Sequence, residues 1–138
     1  MMQQVNPYAQ YQEQNVMTAS PGELTLMLYD GCVKALRRAV LFVRENNIQD
    51  AHSEFVRAQA ILTELNSTLD PQYEISQSLA ALYDFMIAGI ASANVRKDVS
   101  EMDGIIELLV DLRDTWQKAV ALSRRVTLRG AASVEMNA

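Results

Sequence analysis

Residues 20–43 read SPGELTLMLYDGCVKALRRAVLFV and carry a helix start followed by a long helical repeat. Ser20 can accept a hydrogen bond from the amide of Glu23 while the Glu23 side chain reaches back, as in a capping box. Pro21 suits the first helical position, where no amide hydrogen is needed. Apolar residues then recur at steps of three and four, which predicts one apolar helix face. They are Leu24, Met27, Leu28, Cys32, Ala35, Leu36, Ala39 and Val43. A second apolar row beside this face predicts a central helix with several neighbours.

Three further helical patterns follow, so the predicted helices cover residues 21–45, 48–69, 73–95 and 101–123. Asn47 with Asp50, and Ser100 with Asp103, are capping patterns before the second and fourth helices. Asp70-Pro71 ends the second, because a residue before proline avoids the helical region. The second helix carries a bundle-type seam of alternating four- and three-residue steps. The third carries the stripe Ile75, Leu79, Leu82, Tyr83, Met86, Ile87 and Ile90, and the fourth Met102, Ile105, Ile106, Leu109, Leu112, Trp116 and Val120.

The predicted fold class is all-α, an antiparallel up-down four-helix bundle with an irregular N-terminal arm. With only 5 glycines and 3 prolines in 138 residues, the chain lacks the turns that an all-β fold needs. Four helices joined by short links close one core in this topology. The predicted organisation is an arm at residues 1–19, the bundle at 20–125, and a disordered small and polar tail at 126–138.

The N-terminal arm reads MMQQVNPYAQYQEQNVMTA and shows no sustained helical period. It is rich in Gln and Asn, yet it also holds more apolar and aromatic side chains than a fully solvated tail needs. We therefore expect it to pack on its own bundle or on a partner. The candidate partner-binding residues are Tyr8, Tyr11, Val16 and Met17. The alternative is a solvated tail whose apolar residues are incidental.

Charge and composition argue against several classes of protein. The formal net charge is −5, so a nucleic-acid partner is not expected. The single cysteine, Cys32, allows no intramolecular disulfide, lies among apolar residues and is expected in the core of a protein from a reducing compartment. No apolar run reaches the roughly 18–20 residues that a membrane span needs, and the polar N-terminus does not resemble a signal peptide. These features predict a cytoplasmic protein without membrane insertion.

No constellation of residues in the sequence supports catalysis. The one histidine, His52, lacks Cys or carboxylate partners at the spacing of a zinc site, and the Glu-x-x-His motif of di-iron bundles is missing. Ser20-Pro21-Gly22-Glu23 superficially resembles a phosphate loop, but no lysine follows to reach a phosphate. We therefore predict that the protein is not an enzyme and needs no cofactor or metal.

Several motifs occur together in an order that matches a known family. The most distinctive is TASPGELTLMLYDG at 18–31, which follows Asn6-Pro7-Tyr8 and Tyr11. The later ones are AQ at 58–59, ELNSTL at 64–69, LYDF at 82–85, AN at 93–94 and RDTW at 113–116. On these residues the chain resembles the flagellar export chaperone family FliS from about residue 6 to residue 120. Each motif alone is weak, and their common order and spacing carry the resemblance.

The resemblance implies a cytoplasmic chaperone that binds the C-terminal segment of newly made flagellin. It also implies that binding prevents premature polymerisation and supports delivery to the export gate of the flagellar type III secretion system. Nothing functional carries over to Arg124, Arg125 or Arg129, since the tail is less typical of the family. The alternative, from the residues alone, is a generic helical regulator that sequesters another cytoplasmic factor. Monomer and homodimer, the latter joined by an exchanged arm, both remain open.

Overall fold

The computed structural model describes residues 20–136, with the side chains of residues 20–126. Four helices follow one another: α1 (Pro21–Arg44), α2 (Ile48–Ser67), α3 (Glu74–Arg96) and α4 (Met102–Met136). The described chain contains no strand. The all-α helical bundle predicted from the sequence is therefore confirmed. The arm at residues 1–19, with its candidates Tyr8, Tyr11, Val16 and Met17, lies outside the described residues.

Local signals explain where the helices begin and end. The Ser20 hydroxyl accepts from the amide of Glu23 at 3.3 Å, and Asn47 Oδ1 accepts from the amide of Asp50 at 3.3 Å. The links after α1 and α3 each place a residue in the left-handed region, Asn46 at φ 63° and Lys97 at φ 51°. Asparagine tolerates this conformation better than most residues. The Lys97 ammonium also donates to the Asn94 carbonyl at 2.5 Å, which helps to close the end of α3.

Two of the predicted caps differ in the structure. The Glu23 carboxylate does not reach back to Ser20 and instead forms an ion pair with Arg124 of α4, so only half of the capping box forms. The amide of Ser100 donates to Asp98 Oδ1 at 3.0 Å, so the acceptor in this link is Asp98. Helix α3 begins after Tyr73 without a side-chain cap.

Cross-helix contacts set the directions of the helices. On α1 and α4, Asp30 pairs with Arg113 while the earlier Gly22 contacts the later Trp116. On α2 and α3, the late Asn66 contacts Asp84, and His52, near the start of α2, contacts Asn94, near the end of α3. In the α1–α4 pair and in the α2–α3 pair, later residues of one helix contact earlier residues of the other. The two helices of each pair therefore run antiparallel. Helix α1 packs against both α2 and α4 and is central, as the sequence predicts, whereas α3 packs mainly on α2.

The core lies in the middle of the bundle. Its largest fully buried side chains are Tyr83, Phe55, Leu36, Leu62, Leu65, Met86, Ile90, Met102, Leu109 and Cys32. The Cys32 Sγ lies 3.7 Å from the Ala58 carbonyl oxygen of α2, and burial raises the pKa of its thiol to about 12. Cys32 is therefore a core residue without a reactive thiolate, as expected.

Helix α4 is longer than expected. The sequence analysis placed its end near residue 123 and a disordered tail at 126–138, whereas the structure continues the helix to Met136. No proline interrupts this stretch, and its alanine, leucine and arginine residues favour the helical state.

Helix α3 combines an apolar sequence with an exposed surface. It is long and apolar enough to cross a membrane by length and composition, with a window of mean hydropathy 1.3, of which only 28% is buried. The sequence analysis predicted no apolar run of this length, so the structure corrects that prediction for α3 by length and composition. Tyr83, Met86 and Ile90 face the bundle core, whereas Phe85 and Val95 are exposed. The apolar character of α3 therefore exceeds what the core uses.

Candidate partner-binding groove

An apolar groove of about 710 Å³ opens at one end of the bundle. The start of α1, the end of α2, the following link, the start of α3 and one residue of α4 surround it. We call it the apolar groove and define it by its lining, which is Pro21, Gly22, Leu24, Thr25, Met27, Leu28, Tyr29, Glu64, Thr68, Leu69, Asp70, Tyr73, Ile75, Ser76, Leu79, Tyr83 and Trp116. Its size is that of a site for a few large side chains.

Two tyrosines place hydrogen-bonded hydroxyl groups in this mostly apolar lining. The hydroxyls of Tyr29 on α1 and Tyr83 on α3 share a short hydrogen bond, and both residues are only 2% exposed. Their rings lie 6.4 Å apart at 50°, in a tilted arrangement. Burial raises the pKa of both phenols, so both stay protonated at neutral pH. The pair links α1 to α3 where these two helices have little other contact.

The link between α2 and α3 forms one rim of the groove. Asp70 holds this link in shape, because its carboxylate accepts from the amide of Gln72 at 2.9 Å and its carbonyl accepts from the Ser76 hydroxyl at 2.6 Å. Pro71 keeps α2 from continuing across the opening. Tyr73 and Ile75 consequently stand at the rim with 64% and 65% of their surface exposed.

The opposite rim is the contact between the start of α1 and α4. The Trp116 indole donates to the Gly22 carbonyl at 3.1 Å. A Cβ on Gly22 would lie 2.8 Å from Val120 Cγ2, which is closer than real contacts allow. The first turn of α1 therefore sits directly on α4, and Trp116, with 36% exposed surface, borders the groove.

The structure changes the interpretation of several predicted core residues. Ile75 and Trp116 were placed on core-facing stripes, but both border the groove, and Ile75 is mostly exposed. Leu24, Met27 and Leu28 are only half-buried and also line the groove. Periodicity could not reveal this difference, because groove and core both require apolar residues at helical spacing. The sequence analysis consequently missed the groove residues of the bundle and named only the arm.

The groove offers binding rather than reaction chemistry. Its lining is mostly aliphatic and aromatic, and the tyrosine hydroxyls hydrogen-bond to each other. Among the described residues, no group of three or more His, Cys, Asp or Glu side chains is placed to hold a metal ion. Concave apolar surfaces of this kind accept the apolar face of a helix or an extended segment.

Comparison with known proteins gives one consistent family. The model of the family "Flagellar protein FliS" matches residues 4–123. The chain is 38% identical over 120 residues to the flagellar secretion chaperone FliS of Bacillus subtilis, covering 87% of this chain and 90% of that protein. It is 37% identical over 111 residues to the Escherichia coli chaperone of the same name, covering 78% and 82%.

A solved structure agrees with these sequence relatives. A bacterial flagellar chaperone superposes with a TM-score of 0.70 at 26% identity, covering 83% of this chain and 94% of that one. Proteins of this family are chaperones, not enzymes, so the prediction of a non-catalytic protein is confirmed. The chain belongs to the FliS family of flagellar secretion chaperones.

Proposed function

We propose that the protein is a cytoplasmic chaperone that holds the C-terminal segment of flagellin in the apolar groove before export. In this role it keeps flagellin from polymerising early and presents it to the export gate of the flagellar type III secretion system. The observation that carries the proposal is a groove of about 710 Å³, lined mostly by apolar residues, on a chain of the flagellar secretion chaperone family.

The energetics of such a complex favour tight but reversible binding. Burying ~1,000 Å² of apolar area at ~25 cal/mol/Å² contributes ~25 kcal/mol before costs. Ordering a disordered segment and losing its free translation cancel most of this gain. A groove that recognises apolar side chains without charge pairing can therefore hold a partner and still release it.

Isothermal titration calorimetry with the matching flagellin tests this function. We expect one-to-one binding to full-length flagellin and no binding to a flagellin that lacks its C-terminal segment. Equal binding of both forms would mean that the chaperone contacts a part of flagellin other than its C-terminal segment. No binding of either form, confirmed by a second assay on a folded helical sample, would contradict the proposal and favour the generic helical regulator.

The N-terminal arm is proposed to cover the groove when flagellin is absent. The described chain begins at Ser20, and the next two residues, Pro21 and Gly22, already line the groove. The arm is therefore connected in sequence to a segment of α1 that lines the groove. Tyr8, Tyr11, Val16 and Met17 supply the apolar side chains that would occupy the groove and be displaced by flagellin.

Deletion of residues 1–17 tests the arm. We expect lower solubility of the free chaperone, because the groove is uncovered, and a changed affinity for flagellin, because a competing segment is removed. Light scattering on both forms also reports whether the arm joins two copies, since an exchanged arm predicts a dimer that the deletion abolishes. Unchanged solubility and unchanged affinity would mean that the arm is a tail with incidental apolar residues.

A further inference from the structure

A basic patch lies on α1, farther along the helix than the groove. Lys34, Arg37, Arg38 and Leu41 recur at helical spacing on the face turned away from the core. Together with Arg113 of α4 they surround a shallow hollow of about 410 Å³. We call this surface the basic patch, and it is lined by Asp30, Val33, Lys34, Arg37, Arg38, Leu41 and Arg113. No residue lines both the basic patch and the apolar groove.

Most cations of the basic patch form no ion pair with the described residues of the chain. Lys34, Arg37 and Arg38 are exposed, and none of them forms an ion pair within residues 20–126. Only Arg113 is paired, with Asp30 at 3.0 Å and with Asp114 at 2.8 Å. The helix dipole favours basic residues in the last turn, but its effect does not extend back to Lys34 or Arg37. Three cations without an ion pair among residues 20–126 therefore lie close together on α1, although the net charge of the whole protein is −5.

An apolar side chain stands beside these cations. Leu41 is 52% exposed, and Val33 forms an apolar part of the hollow. A surface that combines several positive charges with an exposed leucine matches an amphipathic partner rather than a simple counter-ion. Electrostatic complementarity of this kind steers association and selects the partner, while the apolar contact adds affinity.

We propose that the basic patch is a second docking surface, which binds an acidic amphipathic segment of a partner protein other than flagellin. The carboxylates of this acidic segment pair with Lys34, Arg37 and Arg38, and one apolar side chain of the segment packs on Leu41. A polyanion such as nucleic acid fits less well, since the overall charge repels it and Asp30 lies within the patch. The groove and the patch would let one chaperone hold its cargo and a second protein together.

Site-specific cross-linking tests the proposal in cells of the source organism. A benzophenone amino acid replaces Leu41 in the full-length chain, and the same label at Val95, which is 86% exposed on α3, is the control. The cross-linked segment is then identified by mass spectrometry. We expect a product at position 41 that is absent at position 95 and whose attached segment is rich in Asp and Glu. The double variant Arg37→Glu/Arg38→Glu should reduce this product at least tenfold.

A matched variant controls for total charge. Lys118→Glu/Arg125→Glu makes the same charge change at two exposed positions outside the patch, and it should leave the product within twofold of the parent chain. Equal loss in both double variants, no specific product at position 41, or a product with nucleic acid, lipid or flagellin would overturn the proposal. Calorimetry on the same variants separates the two surfaces, because Arg37→Glu/Arg38→Glu should bind flagellin with an affinity within twofold of the parent chain's. Loss of the cross-linked product with flagellin affinity retained therefore reports on the basic patch and not on the groove.

Discussion

Gly22 shows how a single residue positions the edge of the groove. It lies in the first turn of α1, where its carbonyl accepts from Trp116 and its missing side chain lets α4 come close. In the sequence it looks like part of a glycine loop beside a helix start. The structure gives it a packing role, because a Cβ there would meet the stiff, β-branched side chain of Val120.

Alanine at Gly22 should destabilise the bundle through overpacking. We expect Gly22→Ala to lower the free energy of unfolding by about 1–3 kcal/mol, because Val120 must shift. Gly104 is the matched control, since it lies in the first turn of α4 and a Cβ there meets nothing within 4 Å. Gly104→Ala should leave stability unchanged or raise it by up to about 1 kcal/mol. Urea unfolding of both variants measures the difference, and equal effects would contradict a close contact at Gly22.

Cys32 makes the stability of the protein depend on pH in the alkaline range. Burial raises the pKa of its thiol from 9.0 to about 12 in the folded state. Below pH 9 the thiol is protonated in both states and has no effect. Between these values only the unfolded chain loses the proton, so the folded state loses stability as the pH rises.

The variant Cys32→Ala isolates this effect. Between pH 8 and pH 10 the parent chain should lose about 1.4 kcal/mol more of its unfolding free energy than the variant does. Urea midpoints at pH 8, 9 and 10 measure both slopes, and the tyrosines contribute equally to the two proteins. Parallel slopes would show that the thiol is more accessible than its burial indicates.

Helices α1 and α3 divide their apolar residues differently between the core, the groove and the solvent. Helix α1 uses one apolar face for two purposes, lining the groove with Leu24 and Leu28 and entering the core from Tyr29 onward. Helix α3 stays far more exposed than its apolar sequence suggests. The two helices are joined across the groove by the Tyr29 and Tyr83 hydroxyls. This hydrogen bond therefore couples two elements that otherwise share few contacts.

A double-mutant cycle on Tyr29 and Tyr83 measures the coupling. Each single change to phenylalanine leaves one buried hydroxyl without its partner and should cost about 1–3 kcal/mol of unfolding free energy. The double variant removes both hydroxyls and should cost no more than the worse single change, which gives a coupling energy at least as large as the smaller single cost, about 1–3 kcal/mol. Additive losses in urea unfolding would mean that the two hydroxyls do not support each other.

At the scale of the whole molecule, the groove exists because the four helices do not close the bundle equally at both ends. Helix α2 ends at Ser67, the link that follows runs along the opening, and α3 begins only at Glu74. The apolar residues at this end consequently lack a covering element among the described residues. A large apolar opening of this kind is typical of a protein that receives a partner segment.

Charge placed in the opening should weaken flagellin binding without unfolding the chaperone. Ile75 is 65% exposed in the groove lining, whereas Val95 is 86% exposed on the same helix but outside it. We expect Ile75→Glu to reduce affinity for full-length flagellin at least tenfold, because the carboxylate would be desolvated beneath the bound segment. Val95→Glu should bind as the parent chain does. Calorimetry with circular dichroism as the folding control tests this, and equal affinities of the two variants would contradict a groove-bound flagellin.

The sequence by itself determined the fold class and most of the helix boundaries. Capping residues, the Asp70-Pro71 stop and the three- and four-residue apolar steps act within a few residues of one another, so they can be read without the fold. The start of α1 at Pro21 and the buried position of Cys32 follow from such signals. The ordered motifs also indicated the family before any tertiary contact was known.

Only the tertiary structure decided which apolar residues form the core and which form the groove. Leu36 and Ile75 both fit a helical apolar stripe, yet one is fully buried and the other is 65% exposed. The difference depends on which helix covers each face, and that depends on contacts between residues far apart in the chain. The pairing of Glu23 with Arg124, more than a hundred positions away, likewise replaced the local cap that the sequence suggested. Local patterns specify helices, whereas the unfilled space between helices, which carries the proposed function, arises from how they pack together.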